Sequence, residues 1–170
     1  LLNRADPTQP VDVCVRLAAL TSGKANLLPA PFVVDDKDAC DIILNQRLVK
    51  ETLETARSAD YAITSVGECR DGAVLFESGL FTDQQIEQLR DNKVVADCCG
   101  VFFTADGAVA DIPLNGCTPC AKPNQMPTTD MTLLAGGVSK SVATLAVLRA
   151  NFADRLFVDE GLARKLLEDS

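Results

Sequence analysis

Leu133–Ala150 reads LLAGGVSKSVATLAVLRA, and its punctuation decides how the rest of the chain is read. An apolar run stops at Gly136-Gly137, Lys140 follows, and a second apolar run resumes. This order predicts a strand over Thr132–Ala135, a glycine turn, and a helix over Val138–Ala150. Glycines at such a junction let the backbone turn tightly and bring bare N–H groups against a ligand. The helix that follows has its positive dipole end there, which attracts anions. Lys140, in the first helical turn, adds a full positive charge where the dipole disfavours one, so a phosphate or a carboxylate is expected to compensate it. The alternative is that the glycines serve only the turn and Lys140 points to water. The spacing does not match G-x-x-x-x-G-K-[ST], so this is no Walker loop.

Strand-like and helix-like segments alternate outward from that junction. A helix is expected over Pro10–Ser22, with Gly23 as its stop, then a short strand Ala25–Leu28 ending in Leu28-Pro29-Ala30-Pro31. Asp35 or Asp36 can cap a short helix, and Asn45 a second one running through Arg57. Asp60–Val66 reads as a strand ending at Gly67, and Arg70–Gly79 as a loop or lid. Thr82 with Gln85 forms a capping box for a helix to about Arg90. Lys93–Cys98 is another strand, and Phe102–Thr104 with Ala108–Ile112 a hairpin turning at Ala105-Asp106-Gly107. Strand Arg155–Val158 and helix Glu160–Glu168 close the chain. No internal repeat interrupts the pattern. Short apolar strands between helices predict an α/β fold, a mostly parallel sheet with helices on both faces. Ligands of such folds bind beyond the carboxyl ends of the strands. The loops after Leu28, Val66, Val95 and Ala135 are therefore the places to search.

Composition narrows the chemistry. The 170 residues suit one domain, and no apolar run is long enough to cross a bilayer. The formal charge of −8 repels phosphate backbones, so this stretch by itself is not expected to grip nucleic acid. Histidine is absent, which rules out Ser-His and Cys-His hydrolase machinery. The seven cysteines lie mostly in apolar segments and read as reduced thiols, which points to a cytoplasmic protein. Cys117-Thr-Pro-Cys120 sits among Pro113, Pro119, Pro123 and Pro127 without a second C-x-x-C, so a plain loop is favoured over zinc or redox chemistry. No metal or cofactor is expected.

Asp97 stands out as a second candidate. It interrupts the apolar strand Lys93–Cys98, and a buried carboxylate is costly unless it is paired or hydrogen-bonded. It could accept sugar hydroxyls, pair with Lys140 across adjacent strand ends, or serve as a turn-forming residue.

Taken in order, several stretches resemble one family. They are Leu28-Pro29-Ala30-Pro31, the helix Val49–Ala59 leading into Asp60-Tyr61-Ala62, Val95–Phe103 with Asp106-Gly107, Leu134–Lys140, and Leu156–Ala163. Together they resemble the effector-binding domain of SorC/DeoR-type bacterial transcriptional regulators. That domain belongs to a larger class similar to ribose-phosphate isomerase and glucosamine-phosphate deaminase. The resemblance implies a sensor of phosphorylated sugars or related metabolites, acting as a homo-oligomer, with DNA bound only through a helix-turn-helix domain outside these residues. By the same resemblance Asp97 contacts sugar hydroxyls, and Lys140 with Gly136, Gly137 and Val138 approaches the phosphate. Pro29, Ala30, Gly67 and Cys99 complete the implied ligand-binding set. Two departures stand against the family pattern. Ala96 occupies the position before the acidic residue where the family usually has glycine. An early strand with a Gly-rich loop, a main phosphate contact of the family, has no counterpart, so the chain is expected to be a partial effector-binding domain. A competing expectation is a sugar-phosphate isomerase or deaminase on the same scaffold, with Asp97 as the base and Lys140 as the electrophilic stabiliser.

Overall fold

A computed structural model describes residues 10–170. Helix α1 covers Pro10–Thr21, α2 Lys37–Leu44 and α3 Arg47–Arg57. Strand β1 (Tyr61–Ser65) runs almost directly into β2 (Gly67–Glu68), and the short helix α4 (Val74–Glu77) and α5 (Asp83–Asp91) follow. Next come β3 (Val94–Cys98), β4 (Val101–Thr104), β5 (Asp130–Ala135), α6 (Ser141–Arg149), β6 (Arg155–Val158) and α7 (Glu160–Asp169).

The strands form two three-stranded sheets. One is parallel, in the order β1-β5-β6, with Ile63 opposite Thr132 and Leu133 opposite Leu156. The other is antiparallel, in the order β2-β3-β4, with Gly67 opposite Asp97 and Asp97 opposite Phe102. The chain passes from one sheet to the other at the buried Val66. Asp97 therefore lies inside an antiparallel ladder, whereas the sequence suggested the carboxyl end of a central parallel strand. Alternation of side chains has the same period of two in both ladder types, so strand direction does not show in the pattern.

Three apolar clusters hold the layers together. Leu133 of β5 and Ala96, Cys98 and Phe103 of the antiparallel sheet pack with Ala143, Ala146 and Val147 of α6. Leu162 and Leu166 of α7 pack with Leu145 and against Leu156 and Val158. A third cluster joins Phe76, Phe81, Leu89, Phe102 and Leu114. Phe81 contacts Phe102 edge-on with ring centroids 6.0 Å apart, a favoured aromatic geometry.

Local signals explain most of the helix boundaries. The Asp36 side chain accepts from the Ala39 amide at 2.7 Å and starts α2. The Thr82–Gln85 capping box starts α5 as expected, with both reciprocal bonds formed. Asn45 does not cap α3. It ends α2, donating from Nδ2 to the Asp41 carbonyl, and Gln46 precedes α3 without a side-chain bond. Ala25–Leu28, expected as a strand, has no regular secondary structure and pairs with no strand among the described residues. The Arg70–Gly79 segment contains α4, which buries Phe76.

Candidate functional site

The site forms where the parallel sheet hands over to the antiparallel one. β1 delivers Val66 and β2 begins at Gly67, which faces Asp97 across the ladder. A Cβ on Gly67 would lie 3.3 Å from Asp97 Oδ2 and 3.4 Å from Leu75, tighter on the carboxyl side than most side-chain contacts. Glycine at this position leaves room for the buried carboxyl.

Asp97 is itself unusual. Its Oδ1 is buried without a hydrogen-bond partner, a costly arrangement for a polar atom. Burial pushes its pKa up to about 7, with the Cys99 thiolate raising it further and the Gly100 amide pulling it back. The group thus changes charge near neutral pH.

Lys140 approaches from the other side. Residues Val138–Lys140 form a 3-10 turn and α6 begins only at Ser141, so Lys140 lies just ahead of the α-helix, one turn earlier than its pattern suggested. The half-buried ammonium donates to the Val66 carbonyl at 2.6 Å. It makes no ion pair among the described residues, and the expected pairing with Asp97 does not form. Asp97 and Lys140 instead flank the same two-residue step, Val66-Gly67.

The glycine turn is arranged differently from the expectation of bare amides. Gly137 has φ +89°, where a side chain would be strained, and its N–H donates to Asp159 Oδ2 at 2.5 Å. The same carboxylate accepts from Leu162 through Oδ1 at 2.9 Å and caps α7. The Gly137 amide, followed by that of Leu162, holds the Asp159 carboxyl below the usual range. Protein carboxylate already satisfies this amide, so Lys140 rather than the Gly137 N–H is the group left for an anion.

Cys99 completes the cluster. Cys99 and Gly100 form the two-residue turn between β3 and β4, with φ +52° and +67°. Positive φ at both positions fits a type I′ hairpin, for which Asn-Gly is the common signal and Cys-Gly a strained one. The Cys99 thiol lies 3.2 Å from the Thr64 hydroxyl of β1. Hydrogen bonding from Cys98 and Thr64 holds Cys99 down, to about 7, while the buried Cys98 is pushed up. Cys120 donates from Sγ to the Cys99 carbonyl at 2.8 Å, and burial raises its pKa to about 11. Cys117 instead reaches the Pro113 carbonyl at 3.5 Å, so the two sulfurs of C-x-x-C serve different carbonyls.

Pro29 and Ala30 enter no hydrogen bond with this cluster; the Ala30 amide folds back onto the Leu28 carbonyl at 2.9 Å. Gly136 and Val138 lie exposed on the rim of the turn. The sequence reading passed over Glu68, whose Oε2 accepts from Ser139 at 3.3 Å while its Oε1 accepts from Arg70 at 2.8 Å. A carboxylate in a two-residue strand beside Gly67 was the available signal. Depressions of about 310 and 410 Å³ lie elsewhere, around Gln85 and Pro113 and around Met126 and Phe152. Asp97 is buried and Lys140 half-buried, and neither lines those depressions.

Comparison with known proteins identifies the family. Residues 2–168 match the family model described as "Putative sugar-binding domain". The erythritol catabolism regulatory protein EryD of Brucella abortus is 30% identical over 166 residues, which is 98% of this chain and 52% of that protein. The deoxyribonucleoside regulator of Bacillus subtilis is 29% identical over 84% of this chain and 45% of its own length. The solved DeoR family transcriptional regulator from Listeria monocytogenes superposes with TM-score 0.84 at 26% identity, over 92% of this chain and 64% of the other. The chain spans about half the length of the curated relatives it matches. It belongs to the sugar-binding domain family of SorC/DeoR-type bacterial transcriptional regulators.

Proposed function

We propose that these residues form the effector-binding part of a cytoplasmic bacterial transcriptional regulator, and that the effector is a phosphorylated sugar. Lys140 binds the phosphate or a neighbouring oxygen, and Asp97 accepts hydroxyl protons of the sugar. Binding changes the assembly of a homo-oligomer and so the grip of a DNA-binding domain outside these residues. One observation carries the reading: a half-buried ammonium whose only hydrogen-bond acceptor among the described residues is the neutral Val66 carbonyl flanks the same step as a buried carboxyl with one unsatisfied oxygen. Both groups are short of polar partners, and a polyol carrying an anionic group supplies them. The test is thermal unfolding of the full-length regulator against a panel of phosphorylated and free sugars. A rise in Tm with a phosphorylated member supports the reading, and no shift across the panel contradicts it.

A second reading draws on the same carboxyl. A group that titrates near 7 is suited to proton transfer, as an isomerase or deaminase requires. The relatives above are named as regulators, which favours the sensor. Turnover of ribose 5-phosphate or glucosamine 6-phosphate that disappears in Asp97→Asn would establish the enzyme instead.

A further inference from the structure

Three thiols converge on the β3–β4 turn. Cys98 ends β3 and Cys99 opens the turn, and the Thr64 hydroxyl lies 3.8 Å from the first sulfur and 3.2 Å from the second. Cys120 reaches the same turn from a later loop, donating from Sγ to the Cys99 carbonyl at 2.8 Å. In the same loop Thr118 donates to the Gly100 carbonyl at 2.7 Å. A Cβ on Gly100 would stand 2.9 Å from Thr118 Cβ and 3.0 Å from Cys120 Sγ, so the loop is pressed directly onto the turn.

Turn chemistry does not call for cysteine here. Cys99 has φ +52°, a conformation that favours asparagine or glycine. The sulfurs also differ in character. Cys99 and Cys120 are half-buried and open to a small solute, whereas Cys98 is buried. Cys99 is the most acidic of them, held down to about 7 by Cys98 and Thr64. Burial raises Cys120 to about 11, and nearby Lys122 pulls it back. A thiol suited to attack thus sits beside one suited to resolve the product, the arrangement of oxidant-sensing cysteines.

We propose that Cys99 and Cys120 are a thiol pair that a hydroperoxide converts to a disulfide, fastening the β3–β4 turn to the Thr118–Cys120 loop. A carbonyl oxygen lies about 2.4 Å from its own Cα, which puts the Cys120 sulfur within roughly 5 Å of the Cys99 Cα. A disulfide closes from there once the Cys99 side chain turns from Thr64 toward Cys120. Cys98 is the poorer partner, because consecutive Cα atoms sit about 3.8 Å apart, short of the roughly 4.4 Å at which disulfides begin. Cys117 is buried and turned to the Pro113 carbonyl, so C-x-x-C is not the reacting pair.

The conversion takes two steps. The Cys99 thiolate attacks one peroxide oxygen, the O–O bond breaks, and the departing hydroxide takes a proton to become water. Cys99, oxidised by two electrons, is then a sulfenic acid. The Cys120 thiol gives up its proton, its sulfur attacks the Cys99 sulfur, and the hydroxyl leaves with that proton as water. Two thiols and one hydrogen peroxide become one disulfide and two waters, and a dithiol reductant reverses the change.

This inference concerns thiol chemistry and stands whether or not the ligand is a sugar phosphate. The experiment treats the full-length protein with a small excess of hydrogen peroxide, blocks remaining thiols with N-ethylmaleimide, and maps disulfides by non-reducing peptide mass spectrometry. Expected is a Cys99–Cys120 link within one chain that dithiothreitol removes. Dimedone, which traps sulfenic acids, should label Cys99 about five-fold more in Cys120→Ser than in the parent, because the resolving thiol is gone. The map of the unsubstituted protein reads the pairing without depending on how a variant folds. A link from Cys99 to any other cysteine, a link between chains, or treatment that leaves Cys99 and Cys120 as free thiols overturns the inference. So does equal dimedone labelling of Cys99 in parent and Cys120→Ser.

Discussion

Gly67 faces Asp97 so closely that a methyl group on its Cα would stand 3.3 Å from the buried carboxyl oxygen. The contact lies within the antiparallel sheet, next to Val66, where the chain crosses over from the parallel one. Gly67→Ala should destabilise the protein by roughly 1–3 kcal/mol, the range for overpacking a filled interior. Urea denaturation measures it. Because the shift displaces Asp97, the variant should also lose affinity for any ligand that Asp97 contacts.

Asp97 predicts an inverted pH dependence. Its folded pKa, about 7, lies above the unfolded value, so the native state holds a proton that the unfolded state releases between about pH 4 and 7. Stability from this group is complete below the unfolded pKa and declines as pH rises through the folded one, by on the order of a few kcal/mol in all. Asp97→Asn should flatten the decline between pH 5 and 8 and leave the variant more stable than the parent at pH 8. Denaturant midpoints across that interval decide it; an unchanged slope would show that Asp97 is not the group responsible.

Asp159 titrates in the opposite sense. Its carboxyl is held low by the Gly137 and Leu162 amides, so its contribution is present above the unfolded carboxylate pKa and fades as pH falls. Asp159→Ala removes the cap of α7 and the anchor of the glycine turn together. Its Tm should fall, and exchange of the Gly136–Lys140 amides should quicken. Asp159→Asn, which keeps an accepting oxygen, should retain most of both.

Cys99 should react before Cys98, Cys69 and Cys120. Its pKa, about 7, gives it substantial thiolate at neutral pH, while Cys98, Cys69 and Cys120 are pushed up by burial and neighbouring groups. Among these four, iodoacetamide labelling mapped by mass spectrometry should find Cys99 first, with a midpoint below that of an ordinary thiol. Thr64→Val, which removes a hydrogen bond to the sulfur, should move that midpoint upward.

The sequence made the local elements legible where one residue decides them. Thr82 and Gln85 cap α5, Asp36 caps α2, and the glycines after Ala135 mark the strand-to-helix turn. Features set by distant partners did not show. The direction of β3 depends on β2 and β4 rather than on its own alternation. Ala25–Leu28 has a strand's composition but pairs with no strand among the described residues. Asn45 could cap either of two helices, and only the geometry of the Asp41 carbonyl selects one. At the site, Lys140 and Asp97 were conspicuous because each breaks an apolar run. Their meeting across Val66-Gly67 and the engagement of Gly137 by Asp159 are tertiary facts. Glu68 was missed because a single carboxylate next to a glycine looks like ordinary surface.

Lys140 carries the central claim, that the Asp97–Lys140 site accepts an anionic group on a sugar. The direct measurement is calorimetric titration of the full-length regulator with the sugar phosphate that raises its Tm most, alongside the same sugar without phosphate and the variant Lys140→Met. A hydrogen bond to a charged partner is worth about 1.5–3 kcal/mol. Lys140→Met should therefore bind the phosphorylated sugar roughly 10- to 100-fold more weakly and abolish most of the preference over the free sugar. Equal affinity of parent and variant, or no preference for the phosphorylated form in the parent, would contradict the account.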